Sequence, residues 1–143
     1  MTELTDILRR GHHSLVVGNG EVRTFDDRGI ADLYRLLTEG NGFLQGASVA
    51  DKVVGKGAAA LMVLGGVREV YAEIISTAAL GLLRAAGTAV RFGREVPHII
   101  NRAGNGICPV EQLCRECATA AECLPPITEF MQQHTQQSCR QQQ

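Results

Sequence analysis

Apolar positions in this chain fall into short segments whose spacing changes character several times. Leu4, Ile7 and Leu8 recur at helical spacing and predict a short amphipathic helix over residues 2 to 10, ended by Gly11. Ser14 to Val17 reads as a strand. Gly18-Asn19-Gly20 is a tight-turn signal, and Glu21 to Phe25 is the returning strand of a hairpin. Asp26 or Asp27 then caps a helix whose apolar face is Ile30, Leu33, Tyr34 and Leu37, with Gly40 just past its end.

The stretch from Gly46 to Gly66 reads as one helix with two characters. Its second half, Gly57 to Leu64, is apolar on every side and is expected to be surrounded by protein. Its first half carries Asp51, Lys52 and Lys56. At roughly 100° per residue these charges and Gly55 share one wedge of a helix. Ser48 fits the N-cap, with Asp51 three residues on, the spacing of a capping box. Capping accounts for Asp51 and leaves the lysines open. Lys52 and Lys56 oppose the helix dipole and repel each other at i, i+4. They form either a solvated face or a place where an anion or substrate is held.

Beyond Gly65-Gly66, Val70 to Ile75 is a buried strand, and Ser76 or Thr77 caps a helix running through Ala86, closed by Gly87. Ala89 to Phe92 is another strand. Val96 to Ile100 is a further extended piece or a short helix, with Pro97 inside it. Asn101 to Ile107 is a loop. Pro109 then opens a helix at its first position. Pro125-Pro126 breaks the chain before a last helix from Ile127 to about Gln133. Residues 134–143 are a glutamine-rich tail with the composition of a disordered segment. Strands alternate with helices after the hairpin, which gives a single α/β domain over residues 1–133, a sandwich around a mixed sheet.

Composition narrows the function classes. The 143 residues are 45% hydrophobic and 20% charged, which is globular rather than disordered. Net charge is −1 with no basic tract, which argues against a dedicated nucleic-acid binder. The apolar run after Lys56 is too short to span a bilayer, so no membrane role is expected. The sequence begins MTELTDILRR, with no apolar signal region, and a cytoplasmic location is the expectation. There, the five cysteines are expected to be free thiols or ligands rather than disulfides. Homo-oligomer assembly is left open.

Cys108 occupies the N-cap slot of a helix, where backbone N–H groups and the dipole favour a thiolate. The alternative is a small buried thiol. The loop before it carries Arg102, Gly104 and Gly106, which let the backbone approach a ligand. Glu111 is a first-turn acid, either complementing the dipole or facing the sulfur. Cys114, Cys117 and Cys123 follow Cys108 at spacings that match no zinc pattern, and the histidines show no ligand spacing, so no metal and no cofactor are expected.

The segments Ser14-Leu15-Val16-Val17, Asp27-Arg28-Gly29-Ile30, Ala50 to Lys56, Asn101-Arg102 and Cys108-Pro109-Val110-Glu111 together resemble an uncharacterised bacterial and archaeal family, the domain of unknown function numbered eighteen ninety-three. The resemblance covers about residue 4 to about residue 130. It implies a cytidine deaminase-like fold, a three-layer α/β/α sandwich. Deaminases of that fold hold zinc with a His or Cys two residues before a Glu at one helix N-terminus, and with PCxxC at the next. Here the first helix is read as offering Asp51 and Lys52, and the second opens with Ser76-Thr77-Ala78-Ala79, so zinc-activated water has no ligands.

Two functions are expected from this reading. One is a metal-independent enzyme on a nucleotide-like or other anionic small molecule. Cys108 would be its nucleophile, Lys52 or Lys56 would lower the thiol's pKa or hold the substrate, and Asp51 would orient a lysine or move a proton; Ser76, Arg102 and Glu111 would line the pocket. The other is a binding or regulatory module that kept the deaminase pocket without its chemistry. A cysteine-rich redox or metal protein ranks third.

Overall fold

The computed structural model describes residues 2–26, 30–40, 42–99 and 109–142. The element order is α1 (Thr2–Arg10), β1 (Leu15–Gly18), β2 (Val22–Phe25), α2 (Ala31–Glu39), β3 (Ser48–Val54), α3 (Lys56–Gly65), β4 (Glu69–Ser76), α4 (Thr77–Ala85), β5 (Ala89–Val96), α5 (Pro109–Leu113) and α6 (Ala120–Gln142). The strands form one mixed sheet in the order β2-β1-β3-β4-β5. β1 pairs antiparallel with β2 and with β3, while β3, β4 and β5 are parallel. The parallel strands are linked by α3 and α4, as parallel neighbours require a crossover. This is an α/β fold, as expected.

Side chains alternate between the faces of a strand, and the core divides accordingly. Val16 and Ala50 meet Leu4 and Leu8 of α1 on one face. Leu15, Val17, Val49, Val70 and Ala72 point to the other, where they join the apolar faces of α2, α3, α4 and α6. α3 lies at the centre of that layer, with Gly57 to Met62 all buried. Its apolar character on all sides follows from neighbours on all sides.

The expected helix over Gly46–Gly66 is two elements. Ser48–Val54 is a strand, held between β1 and β4, and the helix begins only at Lys56. Val49, Val53 and Val54 are β-branched and suit a central strand, and pairing on both edges outweighs a helical pattern that rested on polar spacing. Ser48 therefore caps nothing; its hydroxyl donates to Glu69 Oε1 at 2.6 Å. Asp51 is not a capping residue, and Lys52 and Lys56 are not one turn apart on a helix. Gly55, extended at φ −93°, is the N-cap of α3, and Gly66 ends it in the left-handed region at φ +80°.

Smaller differences concern caps and ends. Ile30, rather than Asp26 or Asp27, precedes α2; Asp26 meets His13 Nδ1 at 2.6 Å, and Asp27 lies outside the described residues. β5 continues to Val96, and residues 97–99 belong to no helix or strand; Ile100 lies outside the described residues. α6 starts seven residues earlier than expected, contains Pro125 and Pro126, and ends at Gln142. Cys114 and Cys117 stand in the turn and connection after α5, rather than on a helix. Among the described residues no helix is long and apolar enough to cross a membrane.

Candidate functional site

The parallel strands β3, β4 and β5 end on the same side of the sheet, and α3 and α4 start there. Gly55 and Lys56 open α3 directly after β3, and Ser76 caps α4 directly after β4. Ser76 is fully buried, and its hydroxyl accepts the Ala79 N–H at 3.2 Å, so its side chain is committed to the cap. Thr77 Oγ1 donates to Glu95 Oε2 at 2.9 Å, which ties the start of α4 to the end of β5.

α3 has no side-chain cap of its own, and α5 supplies one. Glu111, 6% exposed, accepts the Lys56 backbone N–H at 3.4 Å through one carboxylate oxygen and the Ile99 N–H through the other. A carboxylate at that position satisfies an orphan donor and faces the positive end of the dipole. The return contact runs the other way: Lys56 Nζ donates to the carbonyls of Arg115, at 3.3 Å, and Cys117, just past the end of α5. α3 and α5 thus neutralise each other's ends. Gly57 permits this approach, since a Cβ there would lie 2.4 Å from Val110 Cγ1.

A cavity of about 90 Å³ opens at this junction, lined by Lys56, Ala78, Pro97, His98, Glu111, Gln112 and Arg115. Lys56 and Arg115 bring positive charge, and the one carboxylate is engaged by backbone donors. The space equals about three waters at roughly 30 Å³ each. A small oxyanion or carboxylate fits it, whereas a whole drug-sized ligand occupies about 300 Å³ or more. A larger open groove of about 600 Å³ lies between α2 and α6, beside Tyr34, Thr38 and Met131, and holds none of the expected site residues.

The expected residues are only partly brought together. Lys56 and Glu111 meet, and Ser76 lies two residues from Ala78 in the cavity wall. Asp51 and Lys52 are on β3 and do not line the cavity. Asp51 shares its face with its register partners Leu15 and Ala72, and Lys52 points to the opposite face. Asp51 is buried, and desolvation pushes its carboxyl up to about 7. Cys108 and Arg102 lie outside the described residues. His98, Gln112 and Arg115 were missed. Arg115 is four residues after Glu111, a helical spacing that could have suggested it; His98 had no motif to mark it.

The family described as TM1506, domain of unknown function (DUF1893), matches residues 3–131. The chain belongs to this family. A crystal structure of a DUF1893 family protein (TM1506) from Thermotoga maritima is 25% identical in sequence, with a TM-score of 0.83 over 90% of this chain and 88% of that one. Among curated proteins, none matches. The DUF1893 assignment covers both strands of the hairpin, the cavity and the first part of α6.

Proposed function

We propose that this DUF1893 chain is a metal-independent, cytidine deaminase-like sandwich that binds a small anionic group at the carboxyl ends of its parallel strands. The observation that carries this is the cavity at the start of α3, with Lys56 and Arg115 in its wall and Glu111 turned to backbone donors. The strand order supports the deaminase-like reading, with the antiparallel β2-β1 pair at one edge and β3-β4-β5 parallel. Crevices at strand carboxyl ends are the usual ligand site of open α/β sheets. The two helix openings that would hold zinc in a deaminase are Gly55-Lys56-Gly57 and Ser76-Thr77-Ala78, and neither offers a His or Cys. A nucleotide-like ligand would enter by its phosphate end, given the cavity's size.

The test is thermal unfolding with added phosphate or sulfate. At tenfold over Kd the anion is expected to add roughly 1.4 kcal/mol by mass action. The gain should be lost in Lys56→Met and in Arg115→Met, and kept in Lys52→Met, which lies off the cavity. An undiminished gain in both cavity variants would place the anion elsewhere.

A second reading keeps Cys108 as a nucleophile. Its support is connectivity: the chain leaves the described residues after Ile99, whose N–H meets Glu111, and returns at Pro109, two residues before Glu111. Cys108 is bonded to Pro109. In this reading Lys56, not Lys52, favours the thiolate, and Arg102 is the rival cation. Alkylation rate against pH, with Cys108→Ser as the blank, is expected to show an inflection below about 7.5 that rises in Lys56→Met. Alkylation of Cys108 only after unfolding would leave the binding module alone.

A further inference from the structure

The alternation of side chains along the parallel strands slips once, in the same row of β3, β4 and β5. The pairing of β3 with β4 passes from Asp51↔Ala72 to Val53↔Ile74, and that of β4 with β5 from Ala72↔Phe92 to Ile74↔Arg94. The skipped row is Lys52, Glu73 and Gly93. Partners keep the same offset on both sides of it, so no strand carries an extra residue. The faces do change. Counting from Val49, strict alternation would bury Val53 and turn Val54 outward. Instead Val53 is 43% exposed, and Val54 is fully buried in the same core as Val49. On β4, Val70 and Ala72 share that core with Ile75. On β5, Val90 and Phe92 pack against it, while Glu95 Oε2 accepts from Thr77 at the start of α4.

One buried polar side chain stands at this row. Asp51, 9% exposed, has Leu15 and Ala72 as its register partners, and its Oδ1 accepts the Val53 N–H across the slip at 3.4 Å. A carboxyl buried among apolar neighbours is costly unless it is hydrogen-bonded, and the Val53 N–H gives it a partner. Gly93 is the complement on β5, where a Cβ would stand 3.0 Å from the Glu73 carbonyl oxygen. After the slip come only Val53 and Val54, and then Gly55 and Lys56 open α3. A slip of one residue reverses every later side chain, so this row sets how Lys56 meets α5. There the Lys56 N–H reaches Glu111, and its Nζ reaches the carbonyls of Arg115 and Cys117.

We propose that Asp51 is a positioning residue for the cavity: by holding the Val53 N–H it fixes the slip in β3, and the slip aims the opening of α3 at α5. Asp51 lies off the cavity wall and acts through β3. Its effect on anion affinity rests on the anion reading of the cavity. Its effect on the junction of α3 and α5 does not.

The test is amide hydrogen exchange by NMR on the full chain, comparing wild type with Asp51→Ala and Asp51→Asn, each read relative to Val17 in β1. Alanine removes the acceptor, and asparagine keeps one. In Asp51→Ala the amides of Val53, Lys56 and Ile99 should exchange at least about tenfold faster relative to Val17, and Asp51→Asn should return all three to wild-type rates. Inorganic phosphate should bind about tenfold more weakly to Asp51→Ala and as in wild type to Asp51→Asn. Unchanged protection of Lys56 and Ile99 in Asp51→Ala overturns the proposal. So does an Asp51→Asn that loosens as alanine does. A wild-type Val53 amide that exchanges as freely as an unfolded peptide overturns it without any variant, which covers an Asp51→Ala that does not fold. If wild type ignores phosphate, the anion reading fails, and the exchange pattern still decides the role of Asp51.

Discussion

Asp51 stands in the middle strand of the sheet as a buried carboxyl, and its charged form lacks solvent. Desolvation raises its pKa from 3.8 to about 7, against smaller pulls downward from the N–H groups of Val53 and Lys52. A raised folded value means that the folded state holds the proton more tightly than the unfolded one. Stability from this group is therefore full below the unfolded value and is lost as pH rises through about 7. At about 1.36 kcal/mol per pKa unit, the loss is on the order of 4 kcal/mol once the group is ionised. Asp51→Asn keeps an acceptor for the Val53 N–H and removes the charge. The variant should match wild type in urea unfolding at about pH 3, below the unfolded value, and exceed it by roughly 3–4 kcal/mol at about pH 8. An equal gap at both values would mean that Asp51 ionises freely in the fold. The sequence made Asp51 visible as a charge among apolar residues, but the Ser48–Asp51 spacing suited a helix cap equally well. Only the pairing of β3 on both edges shows that the group lies inside a sheet.

Between elements, the closest fit is α5 on the opening of α3. Replacing glycine by alanine in an open helix gains up to about 1 kcal/mol. At Gly57 the added methyl would lie 2.4 Å from Val110 Cγ1 and 3.6 Å from Ile127 Cδ1, so α5 must move. Gly57→Ala is expected to lose about 1–3 kcal/mol by overpacking. Gly81→Ala on α4, where a Cβ meets nothing within 4 Å, should gain by about 0.5–1 kcal/mol in the same chemical unfolding series. A gain at both positions would mean that α5 is not packed on α3 as described. The elements themselves were mostly legible. Helical spacing located α1 and α2, Ser76 and Gly87 bracketed α4, and Pro109 marked the start of α5. The errors fell where a local signal competed with a partner distant in sequence. β3 is a strand because of β1 and β4, and α6 starts at a Thr119–Glu122 box upstream of prolines that looked like a break.

Across the whole molecule, α6 enters the core through Ala120, Cys123 and Ile127, with Phe130 and Met131 packed alongside, and the family match ends at residue 131. Truncation after Gln133 should therefore leave stability within about 0.5 kcal/mol of the full chain, as for changes away from buried features. Its cavity should still respond to phosphate. A loss of several kcal/mol would assign the last ten residues a packing role.

By itself the sequence determined the α/β class, the hairpin, the apolar helix after Lys56 and the candidacy of Lys56 and Glu111, because periodicity and caps are local properties of a chain. Tertiary structure alone decided that Asp51 and Lys52 face opposite sides of a strand, that Lys56 and Glu111 exchange helix ends, and that His98 and Arg115 share their cavity. The first follows from sheet pairing, and the others join Lys56 to residues dozens of positions away through helix contact, which no spacing along the chain encodes.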